Sequence, residues 1–288
     1  MKRLHLILPV IFISTVLQGC VFGVVDFVTP DDGYNRIDQI SYGELKRQNV
    51  DYYWPAKTPY QNTTIVFFYG GGWQSGKKEN YRFVAQALTS EGFRVAIPDY
   101  RVYPEVSFPR FIEDAADAVA TIQTRYPDST LVLMGHSAGA HIAAMLVSNP
   151  RYLQKAGADA KSVAAWVGLS GPYDFLPLQS KRLKKVFAGA EDLKLTQPIH
   201  FVSSDIPPTL LIQGLDDSTV IPRNTERLAA ALKEHSVPHR VIYYEDVGHA
   251  GTVGAMAPIL GSWSNVLPDV LEFLKDVNQP SPLVTNLQ

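Results

Sequence analysis

Blocks of apolar residues with no period, separated by blocks of helical period, recur along most of this chain. Thr63-Thr-Ile-Val-Phe-Phe-Tyr69 is β-branched and aromatic throughout, the composition of an interior strand. Phe93-Arg-Val-Ala-Ile-Pro-Asp99 is a second strand whose proline falls at the exit, where no ladder hydrogen bond is needed. Leu131 to Met134, Ser162 to Leu169 and Thr209 to Gln213 repeat the apolar pattern, and a continuous run such as Leu131 to Met134 suits a parallel strand covered on both faces; His239 to Glu245 reads as the last strand. Between them lie helical patterns. Lys77 to Ser90 is closed by Gly92, Phe108 to Tyr126 carries Phe111, Ala115, Ala118, Val119 and Ile122 on one face, and Ala140 to Val147 is rich in small residues. Pro222 to Glu234 has proline in its first turn, and Ile259 to Val277 ends the pattern. Two shorter extended pieces, Arg36 to Tyr42 and Asn49 to Trp54, read as an opening antiparallel pair. Strand and helix in alternation predict an α/β fold, a mostly parallel sheet with helices on both faces. The alternation breaks at residues 171–204, where scattered charge, Pro177 and Pro198 and one helical piece (Lys181 to Ala188) predict a short cap inserted above the sheet.

The 288 residues are 46% hydrophobic and 19% charged, with a formal net charge of −2. These values fit a globular chain and offer no basic field for nucleic acid. Lys181-Arg182-Leu-Lys184-Lys185 reads as a solvated helix face. The N-terminus has a different logic. Met1-Lys2-Arg3 is a positive n-region, and Leu4 to Leu17 is an apolar h-region broken by Pro9, too short to span a bilayer comfortably. Leu17-Gln18-Gly19-Cys20 follows and resembles a bacterial lipobox, with Gln18 departing from the usual small residue. Cys20 is the only cysteine, so disulfides are excluded and lipid attachment is its expected role. The expected organisation is a signal peptide over 1–19, a linker and first strand over 20–44, a catalytic domain over 45–277 and a flexible tail over 278–288. The expected location is the cell envelope, lipid-anchored, at the outer membrane or periplasmic face in a Gram-negative host. Val21 in place of aspartate after the cysteine favours outer-membrane sorting.

The candidate chemistry begins at Gly135-His-Ser-Ala-Gly139, a Gly-x-Ser-x-Gly pattern set between a strand and a helix. That context separates a nucleophile elbow from a chance glycine-rich turn. A serine hydroxyl needs a base, and the base an orienting acid. Of seven histidines only His249 lies just past a strand's carboxyl end, where such groups gather in open α/β sheets. His136 is expected to point away from Ser137, His141 to be buried against the sheet, and His235 and His239 lie at the wrong end. Asp217, in Gly214-Leu-Asp-Asp217-Ser-Thr-Val220, is the favoured acid, with Asp174 as competitor and Asp216 placed towards solvent. The chain order Ser137, Asp217, His249 is that of the α/β-hydrolases. Gly70-Gly-Gly-Trp73 follows a strand and lacks the Lys-Ser/Thr of a phosphate loop. The N–H groups of Gly71, Gly72 and Ala138 are the expected oxyanion hole. No His/Cys/Asp cluster shows ligand spacing, so neither metal nor cofactor is implied.

Tyr69-Gly-Gly-Gly-Trp73, Pro98-Asp-Tyr-Arg101, Tyr103-Pro-Glu105, Gly135-His-Ser-Ala-Gly-Ala-His141, the Asp217 loop and Gly248-His249 together resemble the esterase branch of the α/β-hydrolases. The resemblance is greatest to the feruloyl-esterase-like, kynurenine-formamidase-like and prenylcysteine-methylesterase carboxylesterases, and covers roughly residues 45–277. It implies an α/β-hydrolase fold and a serine hydrolase acting on small-molecule carboxylic esters through Ser137, His249 and Asp217. An amidase with the same triad and a non-catalytic binding protein on the same fold are the alternatives. Tyr69 stands where most of these relatives carry histidine before the glycines, which implies an intact hole with altered support.

Overall fold

Every residue of the strand Thr63–Phe68 is buried, and so is every residue of Thr209–Gly214. Burial of both side-chain sets of a strand requires cover on both faces of the sheet, as the unbroken apolar runs predict. The computed structural model describes residues 25–26, 28–56, 62–260 and 264–278. The signal peptide, Cys20 and most of the tail lie outside the described residues. Among the described residues no helix is long and apolar enough to cross a membrane.

The strands are β1 (Tyr34–Ser41), β2 (Asn49–Pro55), β3 (Thr63–Phe68), β4 (Arg94–Pro98), β5 (Thr130–His136), β6 (Val163–Leu169), β7 (Thr209–Gly214) and β8 (His239–Tyr244). They form one eight-stranded sheet in the order β1-β2-β4-β3-β5-β6-β7-β8. β1 pairs antiparallel with β2, and β2 antiparallel with β4. All later pairings are parallel. The helices are α1 (Arg82–Ser90), α2 (Arg110–Arg125), α3 (Ala138–Ser148), α4 (Arg151–Lys155), α5 (Lys181–Val186), α6 (Arg223–Glu234), α7 (Gly251–Gly254) and α8 (Val266–Asn278).

Three departures from the sequence pattern have physical causes. The helix expected from Lys77 is a 3₁₀ turn over Lys78–Tyr81 before α1 begins. Both ends of Lys78 are committed outside that helix: its Nζ lies 2.5 Å from Asp51 Oδ1 on β2, and its N–H donates to Asp99 Oδ1 at 3.3 Å. The pair is buried on both sides, and removing one partner of such a pair costs about 3–5 kcal/mol. The last helix starts at Val266, seven residues beyond the expected Ile259. This start leaves Pro268 in the first turn, where no hydrogen bond to a preceding carbonyl is demanded. Between β8 and α8 the chain forms the short α7, whose four residues are too few to show a helical period.

The segment 171–204 contains α5 and two 3₁₀ turns, Leu193–Thr196 and Pro198–Phe201. It is tied to the body of the protein by specific bonds. Tyr173 and Asp174 N–H groups donate to Asn224 Oδ1 on α6, both at 3.0 Å, and Phe108 N–H donates to the Val186 carbonyl at 2.9 Å.

Candidate active site

β3, β5, β7 and β8 all deliver their carboxyl ends to one edge of the sheet, and the candidate residues sit on the loops that leave there. The β3–β5 register ends with Phe68 opposite Gly135, so the Gly70–Gly72 loop emerges beside the elbow. Ser137 follows β5 directly and takes φ 55° and ψ −121°, a left-handed strained backbone. Bonds on both sides hold it. Its N–H donates to the Leu169 carbonyl at 2.9 Å, and its own carbonyl accepts from His141 N–H at 3.1 Å. The flanking glycines permit the close approach. A Cβ on Gly139 would sit 2.0 Å from the Phe68 carbonyl oxygen, and one on Gly135 would sit 2.3 Å from the Gly139 carbonyl oxygen.

Ser137, His249 and Asp217 are brought together as one hydrogen-bonded line. His249 Nε2 lies 2.7 Å from Ser137 Oγ, and His249 Nδ1 lies 2.7 Å from Asp217 Oδ2. A carboxylate can only accept, so Nδ1 carries the proton and Nε2 is left to accept from the serine hydroxyl. The other carboxylate oxygen, Oδ1, accepts from Thr219 N–H at 2.9 Å and Val220 N–H at 2.8 Å, and Gln213 Nε2 donates to Oδ2 at 3.2 Å. Burial pushes the Asp217 carboxyl up, but the hydrogen bond and charge of His249, with the two backbone N–H groups, outweigh it and hold the group below its usual range.

The competing acids are placed elsewhere. Asp174 is ion-paired to Arg227, and Asp216 is exposed. His136, expected to point away from Ser137, packs against His249. Its Nε2 donates to the His249 carbonyl at 3.0 Å and its ring lies 4.9 Å from that of His249. Burial first, and then its neighbour His249, pushes the His136 imidazole down to about 3, so it stays neutral and does not compete as a charge. His141 is buried, but against the inserted segment rather than the sheet. Its Nε2 donates to the Thr196 carbonyl at 2.8 Å, and its ring meets Trp73, Phe175 and Phe187. Burial pushes His141 down to about 4.

Gly71 (φ 139°), Gly72 (φ 60°) and Trp73 (φ 60°) form a left-handed run after β3. A Cβ on Gly71 would lie 2.1 Å from the Ser75 carbonyl oxygen. Among the described residues no acceptor meets the N–H of Gly71 or Gly72, whereas Gly70 N–H is used by the Tyr81 hydroxyl. Ala138 opens α3, where the first N–H groups have no intrahelical acceptor. Tyr69 braces this loop from beneath. Its hydroxyl donates to Asp99 Oδ1 at 2.5 Å and accepts from Arg47 Nη1 at 3.2 Å, and Tyr100 Oη donates to the Tyr69 carbonyl at 2.6 Å. Burial, and then the Asp99 charge, pushes the Tyr69 phenol far up, so it remains a donor. Arg47 also donates to the carbonyls of Tyr100 and Gly76, closing the loop's exit.

Sequence reasoning missed the supports of this line. Gln213 carried a signal, a lone polar residue at the end of an apolar strand. Thr252, whose Oγ1 lies 3.0 Å from Ser170 Oγ and 3.2 Å from the His249 carbonyl, carried none. Among the described residues no cluster of His, Cys, Asp or Glu could hold a metal ion.

Comparison with known proteins shows a family and a fold. The BD-FAE family model matches residues 50–232. A probable isoprenylcysteine alpha-carbonyl methylesterase of Arabidopsis thaliana is 26% identical over 259 residues, covering 81% of this chain and 54% of that protein. A kynurenine formamidase of Salmo salar is 30% identical over 177 residues, covering 61% and 56%. The chain thus spans little more than half the length of these curated relatives. Among solved structures, a truncated carbohydrate esterase from gut microbiota superposes with a TM-score of 0.73 at 21% identity, covering 87% of this chain and 99% of that one. Esterase 2 of Thermogutta terrifontis gives 0.72 at 24% identity, covering 88% and 98%. With the sheet order above, these likenesses establish the α/β-hydrolase fold.

Proposed function

We propose that this chain, which belongs to the BD-FAE family, is a serine hydrolase that cleaves carboxylic esters through an acyl-enzyme. The observation that carries the reading is the line from Asp217 Oδ2 through His249 to Ser137 Oγ, 2.7 Å at each step. Ser137 Oγ attacks the acyl carbon while His249 Nε2 takes its proton, and the carbonyl electron pair moves onto oxygen. The N–H groups of Gly71, Gly72 and Ala138 receive that oxyanion, each such donor contributing about 3 kcal/mol. Collapse breaks the bond to the alcohol oxygen, which leaves with the proton from Nε2. Water then attacks the acyl-enzyme, gives one proton to Nε2 and releases the acid. Nε2 returns that proton to Ser137. The sum is ester plus water giving acid plus alcohol.

The relatives named as methylesterases cover more of this chain than those named as formamidases, which supports an ester over an amide bond. The formamidase likeness keeps arylformamide cleavage as the second reading, since the same residues would serve it. A panel of short-chain 4-nitrophenyl esters, feruloyl esters and formyl-kynurenine separates them. Higher kcat/KM on an ester than on formyl-kynurenine supports the reading, and the reverse order replaces it with the amidase. We further propose that Cys20 carries a lipid that holds the enzyme at the cell envelope. Palmitate incorporation lost in Cys20→Ser supports this, and unchanged incorporation overturns it.

A further inference from the structure

The open side of the Gly72 loop faces one group. A Cβ built on Gly72 would meet a single side chain within 4 Å, the Arg182 guanidinium, whose Nη2 lies 3.2 Å away. Arg182 belongs to α5 of the inserted segment, in which four of six residues are cationic (Lys181, Arg182, Lys184 and Lys185). None of the four is ion-paired to a carboxylate among the described residues. Solvated lysines on a helix face need no explanation. An exposed, unpaired arginine beside one of the expected oxyanion donors does.

The helix that carries it is held by packing at its other end. Val186 and Phe187 are buried, and the Val186 carbonyl takes the Phe108 N–H at 2.9 Å. The Phe187 ring lies 4.9 Å from Trp73 and 5.4 Å from Phe175. A Cβ on Gly189 would collide with the Phe108 carbonyl at 2.2 Å, so the chain leaves α5 pressed against the body. Trp73 follows Gly72 directly. The aromatic contact that seats α5 therefore also ties Arg182 to the oxyanion loop. Ser180 Oγ accepts from Arg182 N–H at 3.1 Å and sets the entry to the helix.

From this placement we propose that Arg182 recognises a carboxylate on the substrate, and that the preferred esters carry one within reach of the scissile carbonyl. The inference rests on the ester-hydrolase reading above. A guanidinium presents a planar fork that matches carboxylate bidentately. An ester seated over the loop strips water from the guanidinium. A carboxylate then gains from the lowered dielectric, while an alkyl terminus leaves a desolvated charge without a partner. Selection thus works by attraction of one class and by a penalty on the other. The same positive charge favours an oxyanion in every ester, so the diagnostic quantity is the ratio of anionic to neutral turnover.

Two matched pairs isolate that ratio, each exchanging a terminal methyl for a carboxylate. Monoethyl adipate against ethyl hexanoate places the charge on the acyl side, and 4-acetoxybutanoate against butyl acetate places it on the alcohol side, with acid release followed by pH-stat. The wild type favours the anionic member of one pair, which also says on which side the subsite lies. In Arg182→Gln the ratio of kcat/KM values for that pair falls about 10- to 100-fold, the scale of a lost charge-assisted contact. Arg182→Lys, keeping charge without the fork, falls between. Lys233→Gln, which removes one charge at the far end of the sheet, leaves the ratio as in the wild type. Neutral esters turned over, with a ratio in Arg182→Gln within twofold of wild type for both pairs, overturn the inference and leave the esterase reading standing. Hydrolysis of neither these four esters nor any 4-nitrophenyl or feruloyl ester by the wild type overturns that reading and the inference with it, whereas turnover of those other esters but of none of the four overturns the inference alone.

Discussion

Asp217→Asn is the substitution for which the structure predicts the sharpest consequence. The two carboxylate oxygens face different partners. Oδ1 is held by two fixed backbone donors, the N–H groups of Thr219 and Val220, while Oδ2 faces His249 Nδ1. An asparagine must turn its carbonyl oxygen to the two N–H groups, because an NH₂ there would set donor against donor. Its NH₂ then points at His249 Nδ1 and forces that nitrogen to be the acceptor. The proton moves to Nε2, the atom 2.7 Å from Ser137 Oγ, which can no longer accept from the serine. Loss of the base in this way lowers kcat about 10⁴-fold, equivalent to about 5.4 kcal/mol at the transition state. Stability changes far less, because the amide oxygen keeps both backbone bonds and only the Gln213 contact is lost, about 1 kcal/mol. The assay is steady-state hydrolysis of a 4-nitrophenyl ester at neutral pH with a urea titration of the same preparation. Activity within tenfold of wild type in Asp217→Asn, with Asp174→Asn inactive, would refute the assignment.

Other consequences are open to the same measurements. Tyr69→Phe strips Asp99 of its 2.5 Å donor and Arg47 of an acceptor beneath the proposed oxyanion loop, so stability falls by about 2 kcal/mol and kcat drops more than KM rises. An effect on KM alone would show that the brace does not set the loop. Gly139→Ala places a methyl 2.0 Å from the Phe68 carbonyl, and backbone cannot retreat as a flexible side chain can. Urea titration should show a loss of more than about 4 kcal/mol or no folded protein, and a near-wild-type midpoint would contradict the packing. The folded Asp217 carboxyl lies below its unfolded value of 3.8, so its stabilisation is present above that pH and is lost as pH falls through the folded value. The gap in urea midpoint between wild type and Asp217→Asn therefore narrows below about pH 4, and a gap constant from neutral pH to about pH 2 would contradict the depressed carboxyl.

The parts of this molecule legible in its sequence are those set by local pattern. Apolar runs marked the interior parallel strands β3, β5, β6 and β7 because both their faces are covered, while the edge strand β8 is only partly buried, and Gly135-His-Ser-Ala-Gly139 marked the sharp turn because two backbones meet at those glycines. His249 and Asp217 were found by position, since the sheet's topology gathers the carboxyl ends of β5, β7 and β8. What stayed hidden depends on contacts far apart in the chain. The bond from His136 to the His249 carbonyl spans 113 residues and that from Tyr100 to the Tyr69 carbonyl spans 31, and neither leaves a local trace. The split of the helix at Lys78 was hidden for the same reason, because Asp51 lies on another strand. Arg182 was legible only as one cation in a basic run; its nearness to Gly72 is a product of how Phe187 seats on Trp73.

The central claim, that Ser137 is a nucleophile activated by His249, is tested most directly by covalent trapping. Incubation with a fluorophosphonate followed by intact-mass and peptide analysis should show one adduct per chain, carried by the peptide containing Ser137 and absent from Ser137→Ala. An unmodified wild-type protein, or equal modification of Ser137→Ala, would contradict it.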